Sequence, residues 1–373
     1  MKILYIAREV NHHLLPFVES LERLFPGEVY FATIDKYELR RAVMHFPKFE
    51  RDWIFTIGDN KEKFHQLFFN ADVVLSHAWD FHQLMKERLA LNKITFYFSE
   101  RWFRPPYGKI RLLKPSFLKI YLKFRNILEY KNFYYLAQGV YAASDFRSVG
   151  LCTKKIFSFG YFTSTQKTPA TQNYLPTDKI NILWCGRLVS CKNVDKLVKA
   201  VIALIQQGYQ DRICLTIIGE GPQESLIRSM IKQYSQISLL KFMSTSTIRM
   251  YMNLADIYVF PSSAREGWGA VVNEAMSEGC ALIGSQFAGS VKSMVTDTKN
   301  GLLLKDISVQ EIKDKIQYLV DQPSELSRLK QSSVDCMKNW SPDNVAARFV
   351  SIVHAIQRNA SVDLYSEGAM SLL

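Results

Sequence analysis

Short runs of consecutive apolar residues, each of strand length, alternate along this chain with segments of helical periodicity. Ile182-Leu-Trp-Cys185 and Leu215-Thr-Ile-Ile218 are such runs. A strand with one face in water alternates apolar and polar residues. One that is apolar at successive positions is buried on both faces, as in a parallel sheet covered by helices. Strands are expected at Lys2–Ala7, Val29–Ala32, Val73–Ser76, Ile94–Phe98 and Val140–Ala143 in the first half. The second half supplies Ile180–Cys185, Cys214–Ile218, Ile237–Phe242, Ile257–Phe260 and Ala281–Gly284. Two β/α series of this kind predict an α/β protein of two doubly wound domains. The 373 residues suffice for both, at roughly 100–200 residues each.

The polar stretch Thr163–Lys179, with two prolines, reads as a linker. It divides the chain into a first domain over 1–165 and a second over 175–345, followed by a helix and tail over 346–373. The amphipathic pattern Val345–Gln357 is that helix, expected to pack back on the first domain, with the tail after Arg358 frayed.

Composition excludes several classes. Apolar residues make up 48% and charged residues 22%, which is globular rather than disordered. No run reaches the ~18 apolar residues that span a bilayer. The opening run Met1–Ala7 meets Arg8 and Glu9 at once and reads as a first strand, so the chain is expected in the cytoplasm. Cys152, Cys185, Cys191, Cys214, Cys280 and Cys336 show no C-x-x-C pair and no zinc spacing, and are expected as reduced, mostly buried thiols. The net charge of +12 is uneven: residues 1–165 hold 25 Lys/Arg against 16 Asp/Glu, the rest 22 against 19. A basic first half suits a polyanionic partner, whether nucleic acid, an anionic membrane face or a phosphorylated substrate.

Three segments carry chemistry. In Phe260-Pro-Ser-Ser-Ala-Arg-Glu-Gly-Trp-Gly-Ala-Val-Val-Asn-Glu-Ala-Met276 a strand leads through a loop to a helix beginning near Ala270. Gly267 and Gly269 let backbone approach a ligand, and the N–H groups of Ala270 and Val271 with the positive helix end make an anion site. Glu266 and Glu274 flank that site. Carboxylates beside an anion site make sense for a ligand that also offers hydroxyl donors, as a nucleotide sugar does with its diphosphate, ribose and hexose. From spacing alone, a capping loop with two surface glutamates stands equally well. In Ile182-Leu-Trp-Cys-Gly-Arg-Leu-Val-Ser-Cys-Lys-Asn193, Arg187 and Lys192 follow a strand. They suit the neutralisation of a departing diphosphate, or are two solvated cations. Ile217-Ile-Gly-Glu-Gly-Pro222 has the start of a G-x-G-x-x-G fingerprint, but the third glycine is missing.

In this order the segments resemble the second domain of the retaining nucleotide-sugar glycosyltransferases of family 4, which include the bacterial cell-surface polysaccharide type. Those enzymes have the GT-B architecture, two Rossmann-like doubly wound domains facing across a cleft. The resemblance covers about Ile180 to Trp340 and rests on Glu266 and Glu274 with seven residues between them, Gly186-Arg187-Leu188 with Lys192-Asn193, Gly219-Glu-Gly-Pro222, Ala255-Asp256 and Asn300-Gly-Leu-Leu303. It implies that Glu266 contacts the donor sugar and Glu274 the ribose. It places Arg187 and Lys192 on the diphosphate, with Gly186 and Gly219 at the neighbouring turns. Gly267, Trp268, Gly269, Ala270 and Val271 fall on the other side and Met243 near the base. It also implies a hexosyltransferase that works with retention and needs neither metal nor cofactor; no Asp-x-Asp occurs. Cys280-Ala281 stands where the family often has proline, and Arg8–His13 has no glycine where the family's first loop is often glycine-rich.

The first domain is expected to bind a saccharide or lipid-linked acceptor. Glu100, His12, His13 and His77 follow strands and are the candidates, each weighed against an ordinary structural role; for Glu100 that role is an ion pair with Arg101 or Arg104. Residues 101–131 hold nine Lys/Arg and one acid, Glu129, interleaved with aromatic and aliphatic residues. That mixture suits an anionic membrane surface, and peripheral attachment to the inner face is the expectation. A helix packed by its apolar side is the plain alternative; nucleic acid ranks last because no recognised module appears. Two other functions compete with transfer: an NAD-dependent oxidoreductase, and a non-catalytic nucleotide-sugar binding protein.

Overall fold

The computed structural model describes residues 1–35, 49–77, 81–151, 155–165, 167–169, 175–176 and 178–373. Cys152 and much of the expected linker, namely 166, 170–174 and 177, lie outside the described residues. Two compact units result: one runs to Thr163 and adds Trp340–Leu373, and the other is Ser164–Asn339.

The first unit is built on a seven-stranded parallel sheet. Its strands are β1 (Ile3–Ala7), β2 (Val29–Thr33), β3 (Ile54–Thr56), β4 (Val73–Ser76), β5 (Ile94–Ser99), β6 (Phe133–Gln138) and β7 (Ile156–Phe159). They lie in the order β3-β2-β1-β4-β5-β6-β7. β1, β4, β5, β6 and β7 are buried at every position, as two-sided helical cover requires. The expected strand Val140–Ala143 is instead the start of a helix, Val140–Arg147. The true strand, β6, precedes it, and Gly139 at φ 92° turns one into the other. An apolar run so short fits either element, and its two alanines favour the helix. β3, β6 and β7 were absent from the expected strands.

Arg88, fully buried, holds this sheet to its helices through a fan of neutral acceptors. Its guanidinium donates to the carbonyls of Phe68, Ala71, Asp72 and Ile94 and to the Thr95 hydroxyl. Burial lowers its pKa to about 10, so it stays protonated at neutral pH. The helix Pro342–Gln357 belongs to this unit and packs Phe349 edge-on against Phe17 and near Phe96. The tail is not frayed. Met370 and Leu373 donate to the carbonyls of Ser158 and Ile156, and Ser158 donates to Ser371, at 2.7–2.9 Å. The tail thus runs antiparallel along the outer edge of β7, bridging Phe157 to Leu372, and buries Ala369 and Met370.

The second unit has a six-stranded parallel sheet of β8 (Ile180–Cys185), β9 (Ile213–Ile218), β10 (Ile237–Leu240), β11 (Ile257–Phe260), β12 (Ala281–Ser285) and β13 (Leu302–Leu304). Its order is β10-β9-β8-β11-β12-β13. The helix Val194–Leu204 buries Val194, Leu197, Val198, Val201 and Leu204 on one stripe, an i, i+3, i+4, i+7 pattern against the sheet. Part of the expected linker is fastened here: the Thr168 N–H and hydroxyl donate to the Glu278 carboxylate. Glu278 also forms a buried ion pair with Arg249 at 2.6 Å.

Candidate functional site

In each sheet the strand order reverses once, between β1 and β4 in the first unit and between β8 and β11 in the second. The loops leaving two such strands diverge to opposite faces and open a crevice at their carboxyl ends. In the second unit those are the loops after Cys185 and Phe260, which carry most of the expected site residues.

The loop after β8 passes Gly186 and Arg187, makes a single turn at Ser190–Lys192 and enters its helix through Asn193 at φ 52°. Asn193 donates from Nδ2 to the Pro261 carbonyl at 2.9 Å, and the Ser263 N–H donates to the Cys191 carbonyl at 2.8 Å. These bonds tie the two loops together. Across them Lys192 Nζ pairs with the Glu266 carboxylate, both side chains about one-fifth exposed, while the ammonium lies 5.2 Å from the Phe260 ring centroid. The cation expected on a diphosphate and the carboxylate expected on a sugar therefore form one pair. Arg187 is exposed and has no partner among the described residues.

Two glycines are explained by close approach. A Cβ on Gly219 would lie 1.9 Å from the Gly186 carbonyl oxygen, so the turns after β8 and β9 are pressed backbone to backbone. Gly269 has φ 91°, and a Cβ there would lie 2.6 Å from the Phe260 ring. The Gly219-Glu-Gly-Pro222 turn thus has a packing origin that owes nothing to a dinucleotide.

The helix after this loop is Val271–Glu278, capped by Ala270. Val272 and Asn273 already donate to Gly269 and Ala270, whereas the N–H groups of Ala270 and Val271 have no acceptor among the described residues. They form the helix-start donor pair that an anion needs. Trp268 does not present its ring to this site: it is fully buried, and its Nε1 donates to Asn273 Oδ1 at 2.9 Å. The resemblance places Trp268 with the donor-binding residues, but here the ring is core and holds the loop from beneath. Met243 stands half-buried beyond the end of β10.

Glu274 is 6% exposed. Burial pushes its carboxyl up to about 7, the Arg249 guanidinium opposing and Glu278 adding to the rise. Arg249, Glu278 and Thr168 lay outside the sequence reading. The Glu274/Glu278 spacing of four on one helix was the available signal, since it stacks the two acids on one face.

In the first unit the crevice holds a cavity of about 180 Å³, bordered by His77, Phe98, Gln138 and Tyr161 among others. His77 follows β4 and bonds through Nδ1 to the Phe98 carbonyl at 2.9 Å. A carbonyl only accepts, so Nδ1 carries the proton and Nε2 is left basic. Burial holds the His77 pKa below its ordinary value, so the ring stays neutral. Glu100 pairs with Arg104 and accepts from the Tyr161 hydroxyl at 3.0 Å, reaching the cavity only through that tyrosine. His12 and His13 lie ring to ring at 3.7 Å, with His13 5.6 Å from Tyr161. They stand beside the cavity rather than in its wall.

Residues 101–131 divide in two. Trp102, Phe103, Phe124 and Ile127 are buried, so much of the aromatic content belongs to the core. Tyr107, Ile110, Leu113, Leu118 and Leu122 are exposed, Leu113 at 80%. Tyr107 caps the turn Gly108–Leu113 and the others lie on that turn and the helix Pro115–Ile127, among exposed Lys109, Lys114, Lys119 and Arg125. No helix among the described residues is long and apolar enough to cross a membrane.

Residues 166–334, nearly all of them in the second unit, match the model of the family described as glycosyl transferases group 1. A similar protein over most of both chains is an uncharacterized glycosyltransferase of Methanocaldococcus jannaschii, 22% identical, with 91% of this chain and 88% of that one covered. Several other curated relatives match about half of this chain and less than half of their own length. Among solved structures, Anabaena Alr3699/HepE in complex with UDP superposes with a TM-score of 0.72 at 13% identity, covering 95% of this chain and 100% of that one. The pneumococcal O-GlcNAc transferase GtfA in complex with UDP and GlcNAc superposes at 0.67 and 13% identity, covering 96% and 99%. These superpositions give the chain the GT-B fold: two parallel-sheet α/β domains.

Proposed function

We propose that the chain built around this group 1 domain transfers a hexose from a nucleotide-sugar donor to a saccharide or lipid-linked acceptor, with retention of configuration and without a metal. The observation that carries the reading is the Lys192–Glu266 pair at the β8/β11 crevice, beside the undonated N–H groups of Ala270 and Val271. A diphosphate replaces the carboxylate as the partner of Lys192 and accepts from the helix start. Glu266, released, accepts from the donor's sugar hydroxyls. Glu274 accepts from the ribose, and Arg187 folds over the phosphates from solvent. The UDP held by the two structural neighbours makes a uridine nucleotide the first donor to test.

The bond from the anomeric carbon to the diphosphate oxygen breaks with its electron pair passing to the nucleotide. The charge that develops there is met by Lys192, Arg187 and the helix start, preorganised stabilisation of the kind that dominates transfer catalysis. The acceptor oxygen then closes on the same face of the sugar, and its proton goes to the departing phosphate oxygen. No separate base is required.

The acceptor belongs to the first unit. The exposed leucines and lysines of 107–125 support docking on an anionic lipid surface, where a lipid-linked acceptor resides. That points to cell-surface polysaccharide or glycolipid assembly at the inner membrane face.

A thermal-shift panel of UDP-glucose, UDP-N-acetylglucosamine, GDP-mannose and NADH tests the donor, since a ligand selective for the native state raises its stability. A rise with at least one nucleotide sugar and none with NADH is expected. Stabilisation by NADH alone would return the chain to the oxidoreductases. Stabilisation without sugar release or transfer would leave a binding protein.

A further inference from the structure

The crevice cavity of the first unit is bordered by a group that no hydrogen bond among the described residues holds. Gln138 is the last residue of β6 and only 2% exposed. Neither its amide nitrogen nor its amide oxygen has a hydrogen-bond partner among the described residues. An unsatisfied buried amide weakens a fold, and a methionine or leucine of similar size would avoid the loss. An unpartnered buried amide on the border of a cavity is suited to a ligand.

We infer that this cavity binds one uncharged sugar ring of the acceptor, and that the Gln138 amide is the residue that recognises its hydroxyls. The inference rests on the transfer reading above and names the chemistry of its second substrate. An amide both donates and accepts, as does each hydroxyl of a sugar, so one side chain can hold two neighbouring hydroxyls. His77 adds a basic Nε2, a pure acceptor for a third. Tyr161 has its hydroxyl fixed on Glu100, which leaves its ring as a rigid wall for the apolar C–H face of a sugar, with Phe98 also on the border.

Size and charge narrow the class. The 180 Å³ cavity equals about six waters at ~30 Å³ each, room for one six-membered ring with its hydroxyls. The two charged residues on its border, Arg8 and Glu9, are opposite in sign, and Arg8 already lies 3.6 Å from Asp35. With His77 neutral, the lining offers no net charge to a phosphate or uronate. Arg187, Lys192 and the helix start supply that for the donor in the other unit.

Saturation-transfer NMR on the full chain, with methyl α-glucoside, methyl α-galactoside, methyl α-mannoside and glucose 6-phosphate as probes, tests this. At least one neutral glycoside should receive saturation and glucose 6-phosphate should not. In Gln138→Met the signal should fall at least fivefold, while the melting temperature of the free protein rises by about 2–4 °C, because an unpaired amide has been removed. Gln138→Asn, shorter but still an amide, should keep part of the signal. A merely structural glutamine gives the opposite pattern: lost stability and unchanged sugar contact. Unaltered saturation in a folded Gln138→Met, no glycoside contact at all, or a preference for the phosphate would each overturn the inference. UDP-glucose binding is followed in the same samples. If it persists while the glycosides fail, only the acceptor assignment falls. If the glycosides bind and no nucleotide sugar does, the transferase reading fails instead.

Discussion

The two units place their crevices by one topological rule and furnish them in opposite ways. In the second, β8 and β11 deliver a lysine, an arginine, a half-buried glutamate and a helix start, on loops tied by hydrogen bonds and by glycines that tolerate no side chain. In the first, β1 and β4 open onto a tyrosine ring, a neutral histidine and an unpaired amide. The contrast suits a reaction whose donor carries charge and whose acceptor need not. Charge that must be stabilised as a bond breaks calls for fixed cations and N–H groups, whereas a hydroxyl needs only to be held.

The largest effect should come from Lys192→Ala, which removes one stabiliser of the leaving diphosphate. Turnover should fall on the order of 10²–10³-fold with the circular dichroism spectrum unchanged. Glu266→Ala should fall by orders of magnitude as well. Normal turnover in either folded variant would erase the distinction between the crevices.

Next is the protonation of Glu274. Its folded pKa, near 7, lies above the 4.5 of an ordinary glutamate, so the folded state holds the proton longer than the unfolded chain. Stability from this group is complete below pH 4.5 and declines as pH rises towards 7, by up to about 3 kcal/mol. Urea unfolding between pH 4.5 and 7.5 should show that decline in the wild type and a flatter profile in Glu274→Gln. UDP affinity should move the other way, strengthening through pH 7 as the carboxylate forms. Identical profiles would place Glu274 outside the ribose site.

Gly219→Ala forces a methyl against the Gly186 carbonyl and should destabilise by about 1–3 kcal/mol, read as a lower urea midpoint. It is the counterpart of Gln138→Met, which should stabilise. The smallest effect is expected at the lipid surface. Sedimentation with phosphatidylglycerol vesicles should fall as salt rises and weaken further in Leu113→Asp. Equal sedimentation with phosphatidylcholine would refute electrostatic docking.

Legibility followed the same division. Most strands of both sheets could be read because burial on two faces writes itself as continuous apolar sequence, although β6 and β7, equally buried but rich in aromatics, were missed. β3 and β13, three residues each, fall below any periodic signal. The charged crevice could be read because its residues lie in two contiguous loops. Gln138 could not, since its meaning comes from what fails to surround it. Trp268 was assigned to the ligand because a sequence shows that a loop carries a large ring but not which way the ring turns.

The strip Gly368–Leu373 along β7 has one more consequence. It occupies the outward N–H and C=O groups of Ile156-Phe-Ser-Phe159, a short aromatic segment without a charge. Deletion of 368–373 would strip that cover and leave a ready template for stacking between molecules. Light scattering that grows with concentration in that variant, with the rest of the chain still folded, would reveal this strip as the protein's guard against its own aggregation.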